Sequence, residues 1–213
     1  MSRFAIGLDY RAAASVSLTA TTNSASSLTS YSLAAQAIGA ASAERVVFVC
    51  VGTRNAGQLA SSITIGGISA TKAIGATDPS GFNAAEIWYA VVPTGTTATV
   101  VINYSVAPPR IGVSVYAAYN LLNGGAMTQT GSSSAASPSV SLAPPIHGIA
   151  IAYLFGAAAV TVTWAGLTED VDAQVSSQNY SSASGIYQTA TSPATATPSG
   201  AMTNPIMVMA TFR

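Results

Sequence analysis

Short runs of alternating apolar residues, broken every eight to twelve residues by Gly, Pro, Ser or Thr, constrain this chain more than any other feature, because such spacing suits strands and leaves no room for helices. Phe4, Ile6 and Leu8 alternate, followed by Val16 and Leu18. Arg45 to Val51 is a continuous apolar run, the pattern of a strand buried on both faces. Ile63 and Ile65 lead into the turn Gly66-Gly67, and the chain returns through Ile68 to Ile74. Ala85 to Val92 carries Ile87, Tyr89 and Val91 on one face and Glu86, Trp88 and Ala90 on the other. The turn Pro93-Thr94-Gly95 joins it to Thr97–Tyr104, which reads as a hairpin. Ile111, Val113 and Val115 follow, then Ser139–Leu142, Gly148–Phe155, Val160–Trp164 and a closing strand from Ile206 to Phe212.

Helix signals are almost absent. Few windows combine Leu, Glu, Lys and Arg, no charged i, i+4 ladder appears, and the best candidate, Leu33 to Ala43, is broken by Gly39. Two polar stretches, Asn123 to Pro138 and Thr189 to Gly200, offer little to bury and read as loops. No tandem repeat is visible, which argues against a solenoid or propeller. The expected fold is all-β: a single antiparallel two-sheet β-sandwich, jelly-roll-like, with little helix. Residues 13–213 form that one domain, and residues 1–12 form an N-terminal arm.

Charge narrows the function. Asp, Glu, Lys and Arg make up 7% of the 213 residues, against about 25% in ordinary soluble domains. Seven acids balance seven bases, and the single lysine is Lys72. Ala, Ser and Thr supply about 43% of the chain. Six arginines scattered at 3, 11, 45, 54, 110 and 213 give no footprint for nucleic acid or anionic lipid. A surface without charge lacks the repulsion that keeps monomers apart, so it suits burial against copies or partners. The uncharged stretch from Ile146 to Leu167 is long enough to span a bilayer, but it alternates as two strands and has no basic flank. No membrane insertion is expected. The first ten residues have no apolar core long enough for a secretion signal.

Chemistry finds little material. Cys50, the lone cysteine, sits inside an apolar strand where a small buried hydrophobe is expected. The only histidine, His147, follows Pro144-Pro145-Ile146, and no Gly-x-Ser-x-Gly elbow accompanies it. Catalytic residues and cofactors are therefore expected to be none. Glu169, Asp170 and Asp172 form the one acidic cluster and are weak calcium candidates; their spacing departs from the alternating calcium-loop pattern, and a solvated turn explains them more simply. Glu86 paired with one of them across a cleft is the only glycosidase-like option. Trp88 and Trp164 are the candidate ligand platforms, since Trp offers a flat apolar face with a polar tip.

Three segments carry a family resemblance. Arg45-Val46-Val47-Phe48-Val49, Ile63-Thr64-Ile65-Gly66-Gly67 and Glu86-Ile87-Trp88-Tyr89-Ala90-Val91-Val92-Pro93-Thr94-Gly95 resemble β-sandwich virion proteins of tailed phages and prophages. Gly148–Tyr153 and Trp164–Glu169 look similar too. The likeness covers residues 40 to 213 and lies in pattern and turn placement. It implies a non-enzymatic structural component of the particle: head decoration, head fibre or tail fibre. It would be assembled in the host cytoplasm and released by lysis, with copies of itself and other virion proteins as partners. The alternative is a carbohydrate-binding or receptor-binding adhesion module whose partner is a host-surface glycan.

Overall fold

In the computed structural model, residues 12–54, 58–122, 125–143, 145–186 and 193–213 are described. The arm expected at residues 1–12 lies, except for Ala12, outside them. The chain is a stack of antiparallel sheets, so the all-β sandwich expectation holds, but the layers number four where two were expected. The extra layers arise because the most apolar strands are buried on both faces and need a sheet on each side.

The first half builds two sheets. Strands β1 (Ser15–Ser24), β9 (Arg110–Tyr119), β3 (Val46–Arg54), β7 (Asn83–Val91) and β6 (Thr71–Thr77) form one five-stranded sheet in that order. Strands β2 (Ser30–Ala37), β8 (Thr97–Asn103), β4 (Ser62–Ile65) and β5 (Ile68–Ser69) form an outer sheet over it. The second half builds another five-stranded sheet, β10 (Met127–Ser133), β17 (Thr203–Phe212), β12 (Ile149–Ala157), β15 (Gln178–Ile186) and β14 (Thr168–Val175). Its outer sheet holds β11 (Ser139–Val140), β16 (Ala194–Pro198) and β13 (Val162–Ala165). Side-chain alternation feeds three cores. Val46, Phe48 and Cys50 of β3 meet Ile149, Ile151, Tyr153 and Phe155 of β12 in the central core. Val47, Val49 and Val51 face Val100 and Ile102 of the first outer sheet. Ala150, Ala152 and Leu154 face Val162, Ala194 and Ala196 of the second.

The two halves have the same topology. Replacing β1, β2, β3, β4, β6, β7, β8 and β9 by β10 to β17 in turn converts both strand orders of the first half into those of the second, with β5 as the one addition. The central sheets stack with β1 over β14, β3 over β12 and β6 over β10, so a pseudo-two-fold axis runs along the strands between them. Even the irregularities agree: β1 and its counterpart β10 are bulged, and so are β6 and β14. The duplication invisible in the sequence is therefore plain in the fold.

Other expectations need revision. Ala85–Val92 and Thr97–Tyr104 are not a hairpin: β7 and β8 belong to different sheets, and the turn between them carries the chain from one layer to the next. Both strands have an apolar face, and stacking Trp88, Ala90 and Val92 on Val100 and Ile102 buries both faces at once. β12 and β13 switch layers in the same way. The helix candidate at Leu33–Ala43 begins inside strand β2, which turns Tyr31 inward and ends before the buried Ile38. Within Asn123–Pro138 lies β10, an edge strand fixed by backbone pairing to β17 rather than by side-chain burial. Within Thr189–Gly200 lies β16, whose buried Ala194 and Ala196 are too small to stand out as a core pattern.

Glycine sets the distance between the halves. A Cβ on Gly52 would lie 2.2 Å from the Phe155 ring, and one on Gly112 would lie 2.5 Å from that of Tyr180. Both glycines are grooves that receive an aromatic ring of the opposite sheet. Gly52→Ala is expected to destabilise the fold by about 1–3 kcal/mol through overpacking. In denaturant titrations, Gly52→Ala combined with Phe155→Ala should cost less than the two single changes summed; strict additivity would contradict the groove.

Candidate functional site

Three groups of polar side chains are built into the stack. The first clamps one end of the sandwich. Arg45 is fully buried and donates to four carbonyl oxygens: Val92 at 2.9 Å, Gly39 at 2.7 Å, Gly95 at 2.8 Å and Thr94 at 2.7 Å. Its guanidinium thus ties the β2–β3 and β7–β8 connections together, satisfying carbonyls that the layer switch leaves without strand partners. Sequence reasoning placed Arg45 in a strand and missed this role; an arginine opening a fully apolar run was the available signal.

The second group joins the edge of the first central sheet to its neighbour. Glu86 is buried, accepts from the Ala60 amide at 2.6 Å and from Trp88 Nε1 at 2.9 Å, and pairs with Lys72 at 3.1 Å. Lys72 Nζ also lies 4.7 Å from the centre of the Trp88 ring. Burial raises the Glu86 carboxyl above its usual range, while the Ala60 amide, Lys72 and Trp88 pull it back. Trp88, an expected ligand platform, therefore belongs to the core at 6% exposure, because its indole N–H needs the Glu86 partner and its ring packs in the apolar layer. Trp164 is half-buried against the second outer sheet's core and donates Nε1 to Ser181 Oγ at 2.7 Å.

The third group lines the seam between the halves. The Tyr116 hydroxyl lies 2.6 Å from Ser182 Oγ and 3.1 Å from Asp170 Oδ2, and the Tyr153 hydroxyl donates to the Gly112 carbonyl at 2.7 Å. Asp170 borders a cleft of about 290 Å³ between β1 and the β14–β15 pair, lined also by Ser15, Val16, Thr168 and Ser184. Burial lifts the Asp170 carboxyl above the ordinary aspartate range, against hydrogen bonds from Ser184 and Tyr116 that lower it.

The acidic cluster is dispersed rather than assembled. The β14 bulge between Glu169 and Val171 turns Asp170 toward Tyr116 in the seam. Asp172 instead accepts from the Val162 amide at 2.7 Å and from Asn179 Nδ2 at 2.6 Å. Glu169 stays exposed. Among the described residues no three His, Cys, Asp or Glu side chains gather around a point where a metal ion would sit, so the calcium candidates do not form one nest. Glu86 and Asp170 do not face across a common cleft either, since Glu86 contacts Ala60 and Trp88 beneath the outer sheet while Asp170 meets Tyr116 on the opposite face of the same central sheet.

The remaining candidates are placed as follows. Cys50 is fully buried, and burial pushes its thiol far above the range of a reactive cysteine. His147 is exposed in a turn closed by the Gly148 amide and the Pro145 carbonyl, at φ 57°. Among the described residues no helix is long and apolar enough to cross a membrane. No known family matches the chain, and no curated protein resembles it significantly.

Charge is segregated by layer. No strand of either outer sheet contains Asp, Glu, Lys or Arg. The exposed side of the first presents Ser30, Ser32, Ser62 and Thr64, and Ser30 Oγ donates to Asn103 Oδ1 at 2.7 Å. The second presents Ser139, Thr163 and Thr197, with Ser139 and Thr195 hydroxyls 2.9 Å apart. Bulges interrupt the edge strands on all four edges of the central sheets, which disfavours strand addition there.

The raised Asp170 carboxyl has a signed consequence. A carboxyl whose pKa is higher folded than unfolded favours the folded state fully below the unfolded pKa, and that contribution is lost as pH rises through the folded value. Asp170→Asn keeps an acceptor for Tyr116 and removes the titration. It should therefore raise the melting midpoint at pH 7 and leave it nearly unchanged near pH 3. Equal gains at both values would contradict the assignment.

Proposed function

We propose that this chain is a non-enzymatic structural component of a phage-like virion, a head-decoration, head-fibre or tail protein, that assembles through its uncharged outer faces. The observation that supports the reading best is the segregation of charge, with the strands of both outermost sheets free of Asp, Glu, Lys and Arg. Interfaces that bury well are depleted of charge at their centres, because each ion taken out of water carries a desolvation cost. Two hydroxyl- and alanine-lined sheets meet without that cost and without like-charge repulsion. A net charge of zero removes the long-range repulsion as well. The polar groups inside the stack serve structure: Arg45 binds carbonyls, Glu86 is held by Lys72 and Trp88, and the seam tyrosines are hydrogen-bonded. The resemblance of the strand pattern to phage virion proteins fits the same reading.

Light scattering after size exclusion, with and without calcium, tests it. The purified chain should run as one discrete symmetric oligomer whose mass is indifferent to calcium. Thr64→Lys or Thr197→Lys places a charge on an outer face without touching a core. At least one of them should shift the population toward monomer while leaving the circular dichroism spectrum unchanged. A chain that is monomeric at every concentration, or an oligomer unaffected by both changes, would contradict assembly through these faces.

A further inference from the structure

The pseudo-two-fold axis makes each position on the seam comparable with its counterpart, and at one end the two sides differ. On one side Arg110 reaches across the seam from β9 and donates to Gln178 Oε1 and to Ser177 Oγ, filling the space between the halves. The counterparts of Arg110 and Gln178, counted along the paired strands, are Thr203 and Asn83. Thr203 is too short to cross. Asn83 spans the gap instead, donating Nδ2 to the Asn204 carbonyl at 2.8 Å. What remains is a cavity of about 210 Å³ lined by Arg54, Phe82, Asn83, Ala157, Thr203 and Asn204.

The lining is unsatisfied in a particular way. Asn83 is 1% exposed, and its Oδ1 meets no donor. A buried acceptor left unpaired costs free energy until a donor arrives. The Arg54 side chain, which also lines the cavity, forms no hydrogen bond or ion pair with the described residues, whereas its strand neighbour Arg110 donates through Nη1 to both Ser177 and Gln178. Phe82 stands at the mouth with half its surface exposed. Asn204 takes a left-handed backbone, φ 51°, at the point where Asn83 crosses.

We infer that this cavity is a binding site for a carboxylated sugar unit of hexuronic acid type. The planar fork of Arg54 matches a carboxylate with two parallel hydrogen bonds. The Asn83 carbonyl oxygen and the Thr203 hydroxyl suit sugar hydroxyls, and the Phe82 ring suits the C–H face of a pyranose. The volume is below that of pockets for drug-sized ligands and admits a single ring. Inorganic phosphate would engage Arg54 but supplies neither the ring face nor the array of hydroxyl donors. The inference stands apart from assembly through the outer faces, since the cavity lies at the end of the seam.

Amide chemical shifts of the full-length chain, followed while adding D-glucuronate, D-glucose or inorganic phosphate, test it. Glucuronate should perturb Arg54, Asn83 and Thr203 with a Kd in the millimolar range, and glucose and phosphate should bind at least about tenfold more weakly. Arg54→Gln should weaken the glucuronate response by a similar factor, and Phe82→Ala should weaken it too, with the remaining spectrum intact in both. Perturbation by phosphate as strong as by glucuronate would reduce the site to a general anion site and overturn the inference. No response to glucuronate, or an unchanged response in Arg54→Gln, would overturn it as well.

Discussion

Two bare stretches of backbone, at Gly52 and Gly112, let the central sheets approach closely enough for the Phe155 and Tyr180 rings to seat in them, and the rest of the architecture follows from that contact. With the rings seated, Phe48 meets Phe212 at 4.6 Å between ring centres and the Tyr153 hydroxyl reaches the Gly112 carbonyl. The central sheets are then apolar on both faces, because one face is spent on this contact and the other must be covered by an outer sheet. The outer sheets need to be apolar on one side only. That leaves the other side free to be polar, and here it is polar without being charged.

How much of this was legible in the residues depended on side-chain size. The strands around Val46–Val51, Ile149–Phe155 and Ile206–Phe212 read directly, because burial on both faces leaves almost no polar side chain in them. β10 and β16 did not, since one is held by backbone pairing and the polar side chains of Thr128 and Gln129 and the other is buried through alanine. The layer switch between β7 and β8 was read as a hairpin because Pro93-Thr94-Gly95 serves either connection; what decides is which faces must be covered. Arg45 gave its position but not its four carbonyl partners, three of which come from the β7–β8 connection, distant in sequence.

The duplication was hidden for a physical reason. Across a two-fold interface, each knob in one half needs a groove in the other, so equivalent positions are complementary rather than alike. Gly52 is the counterpart of Phe155, Ala85 of Tyr180 and Gly112 of Ile206. At these three positions the first half holds the groove and the second the knob, while at Tyr116, whose counterpart is Ala210, the roles are reversed. The same broken equivalence reappears at the end of the seam, where Arg110 fills one side and Thr203 leaves the other open. It also appears at the bulge where Ala73 of β6 has Asp170 of β14 as its counterpart. Departures from symmetry of this kind are where local packing rules yield to other demands.

Hydrogen exchange on the full-length chain tests the interlocked seam most directly. If the two halves are held as one body through the glycine grooves, the slowest amides will lie in β3, β9, β12, β15 and β17 and will exchange through one common opening, with closely similar free energies in both halves. Separate openings, with β3 and β9 protected to a clearly different level from β12 and β17, would contradict the account, because the halves would then be folding independently and the grooves would not be joining them.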